Sequence, residues 1–150
     1  MTAMIRTLRL LAFLALTLVS LSAVAGAGST PLGTWSTEGG HGVVEIALCG
    51  EVLCGRIVGI DRAPDEPMPT DVQGRPQCEL TIIRNETPTA DGRWHGEVTD
   101  PRNGKTYQAQ LWVDDAGRLN LRGYIGIPLL GSTQIWNRYT GRLSDGCRIG

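Results

Sequence analysis

From Thr30 onward apolar and polar positions alternate over short runs, and each run ends in a cluster of turn-forming residues. No stretch keeps apolar residues at the three- and four-residue spacing of a helix face, so the pattern predicts strands. Eight strands can be marked, at residues 33–35, 43–48, 55–60, 78–84, 94–99, 106–113, 119–125 and 132–139. The sixth is the most regular: Tyr107, Ala109, Leu111 and Val113 share one face, with Gln108 and Gln110 on the other. After it, Asp114, Asp115, Ala116 and Gly117 read as a type I turn closed by a left-handed glycine. That turn sets Asp114 opposite Arg118 and pairs Val113 with Leu119, Leu111 with Leu121 and Ala109 with Gly123. Each is an apolar or small pair on one face, so turn chemistry and alternation agree on one register.

The second and third strands read as a hairpin. With Cys49 opposite Cys54, Ile46 faces Ile57 and Val44 faces Gly59, while Glu45, Ala47, Arg56 and both cysteines share the other face. A disulfide spans such a pair. Cys78 then pairs with Cys147 and ties the C-terminal tail to the middle of the chain. A zinc site is the competing reading, and C-x4-C followed by two isolated cysteines is a poor ligand spacing. Residues 61–76 carry Pro64, Pro67, Pro69 and Gly74, which cannot sustain a ladder, and are expected to form a surface flap. The segment from Gly126 through Ile127, Pro128, Leu129 and Leu130 to Gly131 is unusually apolar for a loop.

Half-polar antiparallel strands in sequence bury one face and lose their edges when the sheet closes on itself. The expected fold is all-β: an eight-stranded antiparallel up-and-down barrel, whose interior is either filled by side chains or holds one small ligand. The chain before it looks like a leader. Arg6 and Arg9 precede an apolar run from Leu10 to Val19, which gives way to small residues and an A-x-A pattern, with cleavage expected after Ala25 or, alternatively, Ala27. The run is shorter than the roughly 20 apolar residues of a membrane span, so no span is expected after cleavage. Export to the periplasm or beyond also suits four paired cysteines. Removing residues 1–25 leaves one domain at 26–150 with 12 basic and 15 acidic residues, a net charge of −3. A mildly acidic surface lacks the basic field that nucleic-acid binding uses.

Several groups of residues together resemble a bacterial exported family of unknown function, DUF2147. They are Cys49-Gly50 with Leu53-Cys54-Gly55-Arg56-Ile57; Asp100-Pro101 with Gly104-Lys105-Thr106-Tyr107; Arg122-Gly123-Tyr124-Ile125-Gly126; and Leu130-Gly131 with Gln134, Trp136 and Arg138. The resemblance spans nearly all of the expected mature chain and implies a lipocalin-like barrel. Lipocalin-like barrels open with Gly-x-Trp and carry an arginine near the last strand. The matches here, Gly33 to Trp35 and Arg138, imply a guanidinium packed on an indole at the closed end, a structural pair.

Alternation sends Leu80, Ile82, Tyr107, Leu111, Leu121 and Ile125 inward as candidate ligand contacts, with Ile127, Leu129 and Leu130 at the mouth. The plain alternative is that they pack as core. Trp112, Arg122 and Tyr124 fall on the outer face as candidate interface residues, suited to a homodimer or another envelope protein. Neither His41 nor His95 has a neighbouring cluster, and the acid pairs fit turns and solvated loops. No nucleophile, phosphate-loop or metal motif stands out. The expectation is therefore a carrier or binder of a small apolar or amphipathic molecule, without catalysis or cofactor. The alternatives are an envelope protein-interaction module and, with least support, an enzyme.

Overall fold

The computed structural model describes residues 30–150, so the leader expected at 1–25 lies outside the described residues. Eight strands follow one another around a barrel: β1 Gly33–Ser36, β2 Gly42–Cys49, β3 Val52–Ile60, β4 Thr81–Pro88, β5 Trp94–Thr99, β6 Thr106–Val113, β7 Leu119–Tyr124 and β8 Ser132–Arg138. Each pairs antiparallel with the next, and β1 also pairs with β8 through Trp35 opposite Arg138. The sheet is thereby closed, leaving no open edge among the eight.

The β6–β7 hairpin has the expected register, with Val113 opposite Leu119, Leu111 opposite Leu121 and Ala109 opposite Gly123. Its turn is closed by Gly117 N–H donating to the Asp114 carbonyl, with Gly117 at φ +76°. The β2–β3 hairpin departs from expectation by two residues: Cys49 faces Val52, Ala47 faces Cys54 and Val44 faces Ile57. Gly50 adopts φ +76°, which permits a two-residue turn in place of the four-residue loop read from the sequence. From Val44 to Cys49 the even slip keeps each side chain on its expected face, whereas an irregularity between Val43 and Val44 sets Val43 opposite Gly59 and buries both valines. Accordingly Glu45 and Arg56 still meet outside the barrel, 2.6 Å apart. Cys49 and Cys54, now diagonal neighbours with Cα atoms 5.9 Å apart, are still disulfide-bonded, and Cys78 is bonded to Cys147.

The fourth strand differs most. It runs Thr81–Pro88 rather than 78–84, and two irregularities break its alternation. Gly55 faces Ile83 while the next residue, Arg56, faces Thr81, so Ile82 is an extra residue and both isoleucines are buried. Farther on, Asn85 sits in the left-handed region at φ +57° and shifts the pairing with β5. That bulge re-aims Glu86 to the interior. It closes tightly against Gly96, where a Cβ would lie 2.5 Å from the Arg84 carbonyl oxygen.

Beyond the barrel, β9 Leu143–Ser144 and β10 Arg148–Ile149 form a small tail ribbon that sequence reading did not anticipate. β10 runs parallel to β3 at Ile60, where the Cys78–Cys147 bond anchors it. The flap at 61–76 is internally ordered: Thr70 bridges to Pro76, and Asp71, only 7% exposed, accepts from Gln73 and Arg75. At one end of the barrel, Trp35, Ile46, Leu53, Ile83, Leu111 and Leu119 are at most 1% exposed and fill the interior. Burying each such side chain contributes about 1.5 to 3 kcal/mol. The other end is not filled.

Candidate functional site

The open end holds a cavity of about 530 Å³. Its wall is built by inward-facing positions of successive strands: Val44, Ile57, Ile82, Val98, Leu121 and Trp136. A small residue helps to make the room: a Cβ on Gly123 would meet Tyr107 and Val98 only at 3.6 Å, whereas the space beside Gly59 is taken by the side chains of Leu143 and Val43. The mouth is polar, ringed by Thr37, Glu38, His41, Gln77, Arg102 and Gln134. Much of that polarity is already paired. Arg102 donates to both carboxylate oxygens of Asp100, at 3.0 and 2.8 Å, and Trp136 Nε1 donates to Gln134 Oε1 at 2.9 Å. The arginine contact holds the Asp100 carboxyl below the usual carboxylate range.

The floor of the cavity is the packed half of the barrel, and its far end is sealed as the fold resemblance implied. The Arg138 guanidinium lies over the Trp35 ring, 3.8 Å from the centroid, and donates to the Leu32 carbonyl at 2.5 Å and the Thr30 carbonyl at 2.9 Å. Trp35 Nε1 donates to the Pro31 carbonyl at 2.7 Å, so the indole is both covered and satisfied.

The sequence-derived candidates divide into four sets. Ile82, Tyr107 and Leu121 line the cavity. Leu111 is fully buried in the packed half, and Leu80 borders a separate cavity of about 200 Å³ beneath the long loop. Ile125, Ile127, Leu129 and Leu130 turn away from the cavity and are 71, 54, 82 and 77% exposed. The strand ends at Tyr124, so the inward phase of β7 does not reach Ile125. The outer-face set is less exposed than expected. Trp112 is half-buried beneath Arg93, whose guanidinium lies 4.2 Å from its ring centroid. Arg122 is half-buried and braces the β7–β8 loop, and Tyr124 is also half-buried. Gln110 and Asn120, on that same face, are only 7% exposed.

Two features escaped the sequence reading. Trp136, 2% exposed, forms part of the cavity wall, and continuing the alternation back from Arg138 would have found it. Glu86 is fully buried in the packed half, and neither carboxyl oxygen has a hydrogen-bond partner. Burial raises its pKa from 4.5 to about 8, so the neutral acid is the form that suits the site. The one available signal was Gly96, the residue that admits the bulge. As for the histidines, His41 sits exposed at the mouth, 3.6 Å from Asp61, and His95 lies on the outside of β5, 3.8 Å from Asp91.

A closed eight-stranded up-and-down barrel, sealed at one end by an arginine on a tryptophan and hollow at the other, is a lipocalin-like fold. Protein HP1028 from Helicobacter pylori, described as belonging to the lipocalin family, is similar in fold: TM-score 0.62 at 15% identity, over 73% of this chain and 82% of that one. Residues 33–138 match the family model DUF2147, an uncharacterized protein conserved in bacteria, and the chain belongs to that family. No curated protein matches the sequence.

Proposed function

We propose that this chain binds one small apolar or amphipathic molecule in the barrel cavity and carries it in the bacterial envelope without transforming it. The observation that carries this reading is the division of the barrel into a packed half and a hollow half with an aliphatic wall. Small-molecule pockets span roughly 300 to 1,000 Å³ and are mostly apolar with a few polar groups. A cavity of about 530 Å³ with polar groups confined to its mouth fits that description. The non-catalytic part of the reading is supported by the same geometry: the wall offers aliphatic and aromatic side chains, and Arg102 and Gln134 at the mouth are engaged with neighbours. Export is supported by the leader pattern before Thr30 and by two disulfides.

Native mass spectrometry of protein isolated from its own host tests the reading. The expected spectrum contains a population heavier than the polypeptide by one small molecule, lost on organic extraction. A bare polypeptide mass, combined with no uptake when lipid extract is added back, would refute it.

A further inference from the structure

The second cavity, about 200 Å³, lies between the flap at 61–76 and the outer face of β4, β5 and β6. It is smaller than the roughly 300 to 1,000 Å³ of pockets that take drug-sized molecules. Its walls carry hydroxyl, guanidinium and amide groups: Thr81 and Arg84 from β4, Thr99 from β5, Thr106 from β6 and Gln73 from the flap. Val72 fastens the flap there by packing on Gly104, where a Cβ would lie 2.7 Å from its Cγ2. Ile82, Thr99 and Pro101 line this cavity and the barrel cavity alike, so the two share a wall.

Arg84 differs from the other arginines on the barrel strands. Arg56 pairs with Glu45 and Glu79, and Arg122 and Arg138 each donate to carbonyls. Arg84, half-buried, makes a single hydrogen bond among the described residues, from Nη1 to Thr99 Oγ1 at 3.5 Å. Glu97 stands opposite it in the β4–β5 register, yet the two form no ion pair: the guanidinium reaches toward Thr99, two residues farther along β5. The acids on the flap side are already engaged. Asp71 accepts from the N–H groups of Gln73 and Arg75 at 2.9 Å each, from Arg75 Nε at 2.7 Å and from Arg75 Nη2 at 2.6 Å. Those donors occupy the roughly four lone-pair sites of a carboxylate. Asp100, beside Pro101, likewise accepts from Arg102 N–H, Nε and Nη2 and from Asn103 Nδ2.

What is left unpaired around the cavity is donors. Arg75 Nη2 donates to Gln73 Oε1 at 3.2 Å, which fixes the amide and leaves its Nε2 group without a protein acceptor among the described residues. Thr99 Oγ1 and Thr106 Oγ1 lie 2.9 Å apart, so one hydroxyl proton bridges the pair and the other has no protein acceptor there. A guanidinium with hydroxyl and amide donors, facing no free carboxylate, is an arrangement that recognises an oxyanion. Donors on the strand wall and on the flap above it suit the several oxygens of a tetrahedral anion better than the two of a carboxylate. The expected mature chain is net acidic, so a general field does not draw anions to this surface. We propose that the space between flap and barrel wall binds a phosphate group, held by Arg84 and the threonine hydroxyls from the wall and by Gln73 from the flap. The site is distinct from the apolar cavity and does not require that the cavity be occupied.

Isothermal titration calorimetry on the full mature chain tests it with inorganic phosphate, glycerol phosphate and acetate, at an ionic strength held constant with chloride. Inorganic phosphate is expected to bind saturably, one per chain. Arg84→Gln should weaken that binding by about tenfold or more, because charge-assisted hydrogen bonds are lost. Gln73→Ala, at an exposed flap position that folding does not depend on, should weaken it by a smaller factor. Arg142→Gln removes the same charge from an exposed residue of the tail and should leave phosphate binding unchanged. Glycerol phosphate binding at least as well as the free ion assigns the site to esterified phosphate, and weaker binding assigns it to the free ion; either supports the proposal. No saturable phosphate binding, tighter binding of acetate, or equal phosphate affinities in Arg84→Gln and Arg142→Gln overturns it. Leu121→Trp, altered in the barrel cavity, should bind phosphate as the wild type does, so failure of this site and failure of the cavity reading are told apart.

Discussion

The Arg138 guanidinium covers the face of Trp35 at 3.8 Å from the ring centroid while donating to two carbonyls of the segment that leads into β1. One side chain thus joins the last barrel strand to the first and closes the packed end. Gly33 makes the approach possible, since a Cβ there would lie 2.5 Å from Arg138 Nη1. Arg138→Ala removes a cation–π contact of about 0.5 to 2 kcal/mol and two charge-assisted hydrogen bonds. Chemical denaturation should therefore show a loss of about 2 to 4 kcal/mol. Arg138→Lys should recover less than half of it, because an ammonium cannot stack and fork at once. Full stability in the lysine variant would show that the planar fork is immaterial.

Glu86 predicts an inverted pH profile. Its carboxyl has a pKa of about 8 in the fold against 4.5 as the ordinary value, so the native state keeps a proton that the unfolded chain releases. Its contribution is fully present below pH 4.5, declines as pH rises, and is gone above pH 8. Over that window stability should fall by up to about 1.4 kcal/mol per pH unit. Glu86→Gln should flatten the decline and raise stability most at alkaline pH. Denaturation curves at three pH values check this, and parallel profiles for wild type and variant would contradict it.

The two disulfides should differ in weight. Cys78 and Cys147 are 69 residues apart in sequence, whereas Cys49 and Cys54 are 5 apart. Cross-linking a longer loop removes more entropy from the unfolded chain. Replacing Cys78 and Cys147 by alanine should cost about 2 to 5 kcal/mol and free the β9–β10 ribbon, seen as faster amide exchange at Arg148 and Ile149. Replacing Cys49 and Cys54 should cost less, since the Gly50 turn already holds that hairpin. Equal losses would argue against the loop-length account.

What the sequence revealed depended on whether local signals agreed. At β6 and β7 the turn residues and the alternation point to one register, and the structure has it. At β2 and β3 the alternation holds from Val44 to Cys49 and breaks at Val43, and the turn is two residues tighter than the sequence suggests, a difference that face parity conceals. At β4 alternation itself fails: two bulges let Ile82, Ile83 and Glu86 all reach the interior, and no period of two describes that. The site was legible to the same degree. Tyr107 and Leu121 sit on regular strand positions and line the cavity, and Ile82 lines it from the β4 bulge. Alternation sends Ile125 inward and the apolar loop sets Ile127, Leu129 and Leu130 at the mouth, but the strand ends at Tyr124 and Arg122 braces the loop turned away from the cavity. Whether eight strands enclose core or cavity was beyond pattern reading, because it depends on volumes at facing positions. Gly123 at one end, against Trp35 and Ile83 at the other, helps to decide it.

Titration with a fluorescent fatty-acid analogue, comparing wild type with Leu121→Trp, tests the hollow barrel most directly. Leu121 lines the cavity, and an indole in its place fills much of the empty space. The wild type should bind one molecule saturably, and the folded variant should bind at least about tenfold more weakly. Undiminished binding by the folded Leu121→Trp protein, or no saturable binding by the wild type, would contradict a ligand site inside the barrel.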